Sequence, residues 1–125
     1  MAAMSCARIH PNTWGCHGVK VEVDTETEQV EIIRYVAVEV GRAVNPLLVK
    51  GWIYGAALRG EGFALAEEMI YDQGLLSEAR FREYKVLTTM DSLPVEPIIV
   101  EHLEAAGPYG AEGIGEPGLV PAARL

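Results

Sequence analysis

The segment at residues 46–68 constrains the fold most, because it has the apolar spacing of a helix and yet contains four glycines. Asn45 and Pro46 predict where this helix begins, with Asn45 as the N-cap and Pro46 in the first turn. Each glycine inside a helix costs about 1 kcal/mol relative to alanine. Four therefore cost about 4 kcal/mol, a large part of the roughly 5–15 kcal/mol by which a domain is stable. Some other contact must offset this cost.

The apolar residues and most of the glycines lie on different sides of this helix at 100° per residue. Gly51, Gly55 and Gly62 lie together near Leu58, whereas Gly60 falls on the apolar side. A side lined by glycine either packs closely against another backbone or forms the wall of a ligand site. Both interpretations stay open at this point. The apolar side is predicted to face the core and carries Val49, Ile53, Ala56, Ala57, Phe63 and Ala64.

Strands are predicted on both sides of the helix in sequence. Alternating valines from Gly18 to Val23 predict one strand, and the β-branched run at residues 30–40 predicts a second, antiparallel to the first. Residues 1–17 show no period and are interpreted as an irregular lead-in. A turn is expected after residues 71–74. Residues 98–103 predict a third strand, after prolines at 94 and 97 that are expected to interrupt regular structure. The predicted class is α+β, with the helix covering a hairpin and a further strand, followed by a glycine-rich C-terminal loop.

Charge and cysteine content exclude several classes of protein. The chain has 18 acidic and 10 basic residues, a net charge of −8, which disfavours nucleic acid and membranes as partners. It contains neither the run of about 18 apolar residues that spans a bilayer nor a secretory signal pattern. A cytoplasmic location is therefore predicted, or else a subunit that a partner carries elsewhere. Cys6 and Cys16 do not make a disulfide framework. A zinc or ligand-binding module built from the cysteines and from His10, His17 and His102 is the weakest alternative, because their spacing fits no standard zinc pattern and no protein metal ligand is predicted.

The loop at residues 107–118 (GPYGAEGIGEPG) is the segment most suited to chemistry. Its glycines let backbone N–H groups approach a ligand, but it matches neither of the glycine patterns that bind phosphates and dinucleotides. Glu116 stands between Gly115 and Pro117 on a stiff loop. Such a carboxylate suits a general base, or is simply a solvated loop residue.

Three blocks, taken in order, resemble a known family. They are residues 21–46, which include VGRAVNP, residues 51–71 followed by TTMD at 88–91, and the loop at 107–118. Together they are similar to the C-terminal part of the molybdenum-binding large subunit of the xanthine dehydrogenase and aldehyde oxidase family. The resemblance implies that residues 18–125 are a partial molybdopterin-binding domain of a larger molybdenum-binding fold.

The resemblance also implies a cofactor, partners and site residues. The cofactor is molybdenum held by a pterin dithiolene, and bacterial members usually carry its cytosine dinucleotide form. The implied partners are the rest of the molybdenum subunit, separate iron–sulfur and flavin (FAD) subunits, and a small aldehyde or N-heterocyclic substrate. Glu116 occupies the position of the glutamate that takes a proton from the molybdenum-bound hydroxyl. Cofactor contacts are implied for Arg59, Gly60, Gly110, Ala111, Gly113, Ile114 and Gly115.

Four positions depart from the family pattern. Members commonly have glutamine at the positions of Trp52 and Arg59, lysine at that of Glu112 and aspartate at that of Glu39. Family large subunits are also several times longer, and the resemblance implies a terminal helix beyond the Gly-Glu-Pro segment, before which this sequence is expected to stop. The chain is therefore interpreted as a fragment or a split-subunit piece of a molybdenum hydroxylase that is inactive by itself. The alternative is a non-catalytic remnant or interaction module of the same ancestry.

Overall fold

The computed structural model describes residues 12–77, 80–91 and 93–122. Strand β1, Gly15–Val23, pairs antiparallel with strand β2, Val30–Val40. The polar turn between them is stabilised by the Asp24 carboxylate, which accepts hydrogen bonds from the backbone N–H groups of Glu26 and Thr27. The predicted hairpin is thus confirmed, although β1 begins at Gly15 rather than Gly18, inside the segment that was expected to be irregular.

Helix α1, Pro46–Glu61, begins where the sequence predicts. The Asn45 side-chain oxygen accepts a hydrogen bond of 3.2 Å from the backbone N–H of Leu48, which caps the first turn. The predicted end at residue 68 is wrong, because α1 passes into a single π-helical turn, Gly62–Ala66. This turn closes through a bond of 2.7 Å from the Glu67 N–H to the Gly62 carbonyl oxygen. Glycine weakens regular helix, and Gly60 and Gly62 both lie where this wider turn begins.

The segment after the π-helical turn contains only short elements. Strands β3, Tyr71–Asp72, and β4, Leu75–Leu76, form a small hairpin. Its turn, at Gln73 and Gly74 with positive φ at both, lies within residues 71–74 rather than after them as predicted. Helix α2, Phe81–Tyr84, follows.

Strand β5, Val95–Val100, joins the sheet parallel to β2, which gives the strand order β1-β2-β5. The third strand therefore begins earlier than predicted and ends before Leu103. Pro97, which was expected to interrupt regular structure, lies inside β5 opposite Ala37. An edge strand tolerates proline when the missing N–H would point away from the sheet. Beyond β5 come a 3-10 turn, Pro108–Gly110, and helix α3, Leu119–Ala122.

The core lies between α1 and one face of the sheet, as predicted for an α+β arrangement. The buried core residues are Ile32, Tyr35, Ala37, Ile53, Ala57 and Val95. The predicted core side of α1 is confirmed at Ile53, Ala56 and Ala57, whereas Phe63 is 43% exposed. Phe63 lies within the π-helical turn, Gly62–Ala66, where the repeat is wider than the 100° per residue from which its position was predicted. Within the described ranges, no helix has the length and apolarity to cross a bilayer.

Candidate functional site

Glu116 lies exposed on a turn that leads into α3. The Leu119 N–H donates to the Glu116 carbonyl oxygen at 3.1 Å and closes this turn. Pro117 restricts the backbone at the next position. The main chain of Glu116 is thus held while its carboxylate is presented to the outside of the described chain.

Two glycines seat this turn on the rest of the fold. A Cβ atom at Gly115 would lie 3.2 Å from Cε3 of Trp52, on α1. A Cβ atom at Gly118 would lie 3.0 Å from Cε1 of His17, on β1, and 3.1 Å from Cβ of Ala56. Both distances are tighter than normal packing allows, so the backbone on either side of Glu116 touches its neighbours directly.

Three hydrogen-bonded side chains, those of Tyr35, His17 and Glu39, lie beneath Gly118. The Tyr35 hydroxyl is 2.7 Å from Nδ1 of His17, and Nε2 of His17 is 3.0 Å from Oε1 of Glu39. Tyr35 and Glu39 are only 1% and 2% exposed. Burial, followed by the negative charges of Glu39 and then Glu61, raises the pKa of Tyr35 to about 12. The phenol therefore keeps its proton at neutral pH.

The sequence analysis did not predict the hydrogen bonds that join Tyr35, His17 and Glu39, although the sequence contains a signal for them. Tyr35, Ala37 and Glu39 alternate on one face of β2, and the hairpin register places His17 opposite Ala37. Alternation predicts that Glu39 points inward with Tyr35 and Ala37. A carboxylate at an inward position needs a partner, and His17 is the polar residue that faces it from β1.

Glu112 and Gly113 line a different feature, a small cavity of about 30 Å³ at the end of β2. Both carboxylate oxygens of Glu112, and Oε2 of Glu39, are buried without a hydrogen-bond partner in the described chain. Buried carboxylate oxygens normally bind a donor, so this cavity has the size and the chemistry for a water molecule.

Arg59 lies apart from the Glu116 turn. Its guanidinium is 5.5 Å from the ring centre of Phe63, in cation–π geometry. It lines an open groove of about 450 Å³ whose walls come from α1, the π-helical turn and residues 81–87. Glu116 is not among the residues that line this groove. At the edge of this groove, a hydrogen bond with Glu67 raises the pKa of Tyr84.

The other residues predicted to contact the cofactor fall in several settings. Gly60 is buried in α1, and Ile114 packs against the core. Gly110 has φ +79°, and a Cβ there would lie 2.7 Å from Cδ2 of Leu103. Ala111 and Gly115 are partly buried, and Gly113 is exposed. Gly110 to Glu116 thus form one continuous stretch, whereas Arg59 and Gly60 belong to the helix.

Over part of its length, the glycine side of α1 is not packed against any of the residues that the structure describes. Cβ atoms built at Gly51 and Gly55 meet no atom within 4 Å. At Gly62, in contrast, a Cβ would lie 2.6 Å from Oε1 of Glu67. Close internal packing, one of the two interpretations of these glycines, accounts for Gly62 and not for Gly51 or Gly55.

The zinc alternative finds no support in the structure. Among residues 12–77, 80–91 and 93–122 there is no group of three or more side chains able to hold a metal ion. Cys6 and His10 lie outside the described residues, and His17 is engaged by Tyr35 and Glu39.

Known proteins match this chain along most of its length. The family model of the molybdopterin cofactor-binding domain matches residues 7–93. A putative xanthine dehydrogenase molybdenum-binding subunit of Escherichia coli strain K12 is 36% identical over 117 residues, which cover 91% of this chain and 16% of that protein. The nicotine 6-hydroxylase large subunit of Paenarthrobacter nicotinovorans is also 36% identical, over 86% of this chain and 14% of its own length.

Solved structures of similar proteins also match this chain over most of its length. Quinoline 2-oxidoreductase from Pseudomonas putida 86 superposes with a TM-score of 0.81 at 33% identity, over 90% of this chain and 15% of that one. Aldehyde oxidoreductase from Desulfovibrio gigas gives 0.74 at 28% identity, over 89% of this chain and 12% of its own. The chain thus spans about one sixth or less of these proteins. It belongs to the molybdopterin cofactor-binding domain family of the xanthine dehydrogenase and aldehyde oxidase type of molybdenum hydroxylase.

Proposed function

We propose that this chain is one part of the molybdenum-binding subunit of a hydroxylase, to which it contributes Glu116 as a general base and a section of the cofactor-binding wall. The observation that carries the proposal is the Glu116 turn. Its backbone is seated on Trp52 and His17, while its carboxylate is exposed. A carboxylate held in this way is positioned to accept a proton from a group bound outside the described chain.

The residues present fit a large planar cofactor at two places. The main chain of α1 is open at Gly51 and Gly55, where no side chain or neighbouring atom keeps a ligand away. Arg59, which lines the groove beside Gly55, is exposed and offers a guanidinium. Gly113, at the second place, is exposed in the loop and offers a backbone N–H. When bound, a molybdenum–pterin centre supplies an oxygen nucleophile and takes up the two electrons removed from the substrate. Contacts from Gly60, Gly110, Ala111, Ile114 and Gly115 are proposed to be made through the main chain.

The remaining assignments rest on the family. The proposed partners are the rest of the molybdenum subunit, with iron–sulfur and flavin centres on other chains, and a small aldehyde or N-heterocycle as substrate. The cytosine dinucleotide form of the cofactor is part of the same proposal. A cytoplasmic location stays a prediction from the sequence.

The proposal is tested in the complex reconstituted with the rest of the molybdenum subunit and its redox subunits. Glu116→Gln should lower kcat by about 10²–10⁴-fold, the usual contribution of a positioned base. The molybdenum content should not change. Glu101→Gln, an exposed carboxylate at the end of β5, is the matched control and should leave both quantities as in the wild type. Unchanged turnover in Glu116→Gln would remove this residue from the mechanism.

A second candidate function is a non-catalytic interaction module, and two observations favour it. Trp52 covers Gly115 at the point where the loop would approach a cofactor. Glu112 adds buried carboxylate oxygens without a partner next to Gly113, which opposes an anionic ligand. Trp52→Gln and Glu112→Lys restore the residue types common in the family. If the wild-type complex contains no molybdenum and the double variant does, the non-catalytic function is the correct one.

A further inference from the structure

We propose that the Tyr35–His17–Glu39 hydrogen-bond chain fixes the position of the Glu116 turn, so that these three residues are positioning residues for the proposed base. The inference rests on the proposed function only for the role of Glu116. The contact between these hydrogen-bonded side chains and the turn is argued from this structure alone.

The direction of the hydrogen bonds follows from the Glu39 carboxylate, which can only accept. Nε2 of His17, 3.0 Å from Oε1 of Glu39, is therefore the nitrogen that carries the proton and donates. In the neutral imidazole Nδ1 is then an acceptor, and the buried Tyr35 O–H donates to it at 2.7 Å. Both ring nitrogens are therefore used, and the ring cannot rotate without losing two buried hydrogen bonds.

The atom that touches the turn lies between these two nitrogens. Cε1 of His17 is bonded to both Nδ1 and Nε2, and it is the atom nearest to the Cβ position of Gly118, at 3.0 Å. Oε1 of Glu39 is 3.4 Å from the same position. The hydrogen bonds thus hold the part of the imidazole ring on which Gly118 rests.

The contact reaches Glu116 through a short length of backbone. Gly118 belongs to the turn closed by the bond of 3.1 Å from the Leu119 N–H to the Glu116 carbonyl oxygen. Ala56 of α1 lies on Gly118 as well, 3.1 Å from its Cβ position. Since Gly118 is buried between the ring and the helix, a rotation of the ring must displace the turn.

Amide hydrogen exchange of the isotopically labelled full chain tests the link, because exchange at Leu119 reports opening of the turn. Tyr35→Phe removes one hydroxyl and keeps the aromatic ring, and Glu39→Leu removes the acceptor of the second hydrogen bond. Each should speed exchange at Leu119 by up to about tenfold, the effect of losing one net hydrogen bond. Glu39→Gln retains an acceptor oxygen and should return exchange to within about twofold of the wild-type rate.

The matched control is Arg34→Ala, which breaks an exposed ion pair of 2.8 Å with Glu96 on β2 and β5. It should leave exchange at Leu119 unchanged. Equal acceleration at Leu119 and at the β1–β2 amides in Tyr35→Phe would show only a general loss of stability and would overturn the proposal. Unchanged exchange at Leu119 in both Tyr35→Phe and Glu39→Leu would also overturn it.

A substitution in the turn, with His17 as the group observed, tests the same contact if those variants do not fold. Gly118→Ala should shift the NMR resonance of the His17 Cε1 proton and disturb the wild-type pattern of protonated Nε2 and unprotonated Nδ1. Val120→Ala, an exposed position two residues further on, should not. An unchanged His17 resonance in Gly118→Ala would refute the contact. None of these readouts needs cofactor or turnover, so a complex without molybdenum would overturn the proposed function and leave this result intact.

Discussion

The glycines of α1 and those of the loop at residues 107–118 have opposite surroundings. In the loop, Cβ positions are taken by atoms of the same chain, which are the Ala111 carbonyl oxygen at Gly107, Leu103 at Gly110 and His17 at Gly118. In the helix, Gly51 and Gly55 meet no atom within 4 Å. The two segments therefore contain glycine for different reasons.

The difference shows which glycines still require an explanation. The loop needs Gly107, Gly110 and Gly118 in order to fold, with or without a ligand. The helix gains nothing from Gly51 and Gly55 within the described chain, and each costs about 1 kcal/mol relative to alanine. The prediction of a glycine wall for a cofactor is consequently best supported at α1.

The largest effect is expected for Gly107→Ala, because the new Cβ would overlap the backbone oxygen of Ala111. A backbone atom cannot move aside as a flexible side chain can, so the free energy of unfolding should fall by about 1–3 kcal/mol or more. Gly113→Ala is the matched control within the same loop. Its nearest neighbour is Oγ1 of Thr13 at 3.6 Å, and it should cost less than about 0.5 kcal/mol. Chemical denaturation measures both, and equal losses would contradict the contrast between packed and open glycines.

A smaller effect of the opposite sign is expected in the helix. Gly51→Ala and Gly55→Ala should each raise the free energy of unfolding by about 1 kcal/mol, because alanine favours helix and meets nothing. In the assembled complex the same substitutions should lower the molybdenum content. Lys50→Ala, at an exposed position of α1, should leave the molybdenum content unchanged. Stabilised variants that retain full molybdenum would show that the open glycine side does not face the cofactor.

The last effect is absent at neutral pH, is confined to alkaline solution, and concerns Tyr35 beneath the packed end of the loop. Tyr35 has its pKa raised from 10.0 to about 12 by burial and then by the charges of Glu39 and Glu61. The stability that this shift provides is complete below pH 10, the unfolded value, and is lost as the pH rises towards 12. Denaturation midpoints measured above pH 10 should fall more steeply for the wild type than for Tyr35→Phe. Tyr109→Phe, 85% exposed, should follow the wild type. Equal slopes for all three proteins would argue against a buried Tyr35.

Much of the fold could be predicted from local sequence. Alternation gave the hairpin, and the Asn45 cap gave the start of α1, because both depend on residues close together in the chain. The end of α1 could not be predicted from apolar spacing, since the π-helical turn changes the spacing itself. Pro97 was misjudged because only the position of β5 at the sheet edge makes a proline acceptable there.

The candidate site was predictable only in part. The glycine pattern and the family resemblance pointed to Glu116, whose exposed turn the structure describes. The residues under the turn come from strands far apart in sequence, and their contacts depend on the pairing register of β1 and β2. Spacing along the chain therefore could not reveal that His17 touches Gly118.

Pro97 also affects whether a further strand can pair with the β5 edge of this sheet. Val95, Pro97 and Ile99 alternate on the outer edge of β5, where Val95 already donates to the Leu93 carbonyl oxygen and Pro97 has no N–H to offer. A further strand docking along that edge would find only the Ile99 N–H as a regular ladder donor. Pairing of another chain with β5, whether in assembly or in aggregation, is thereby weakened.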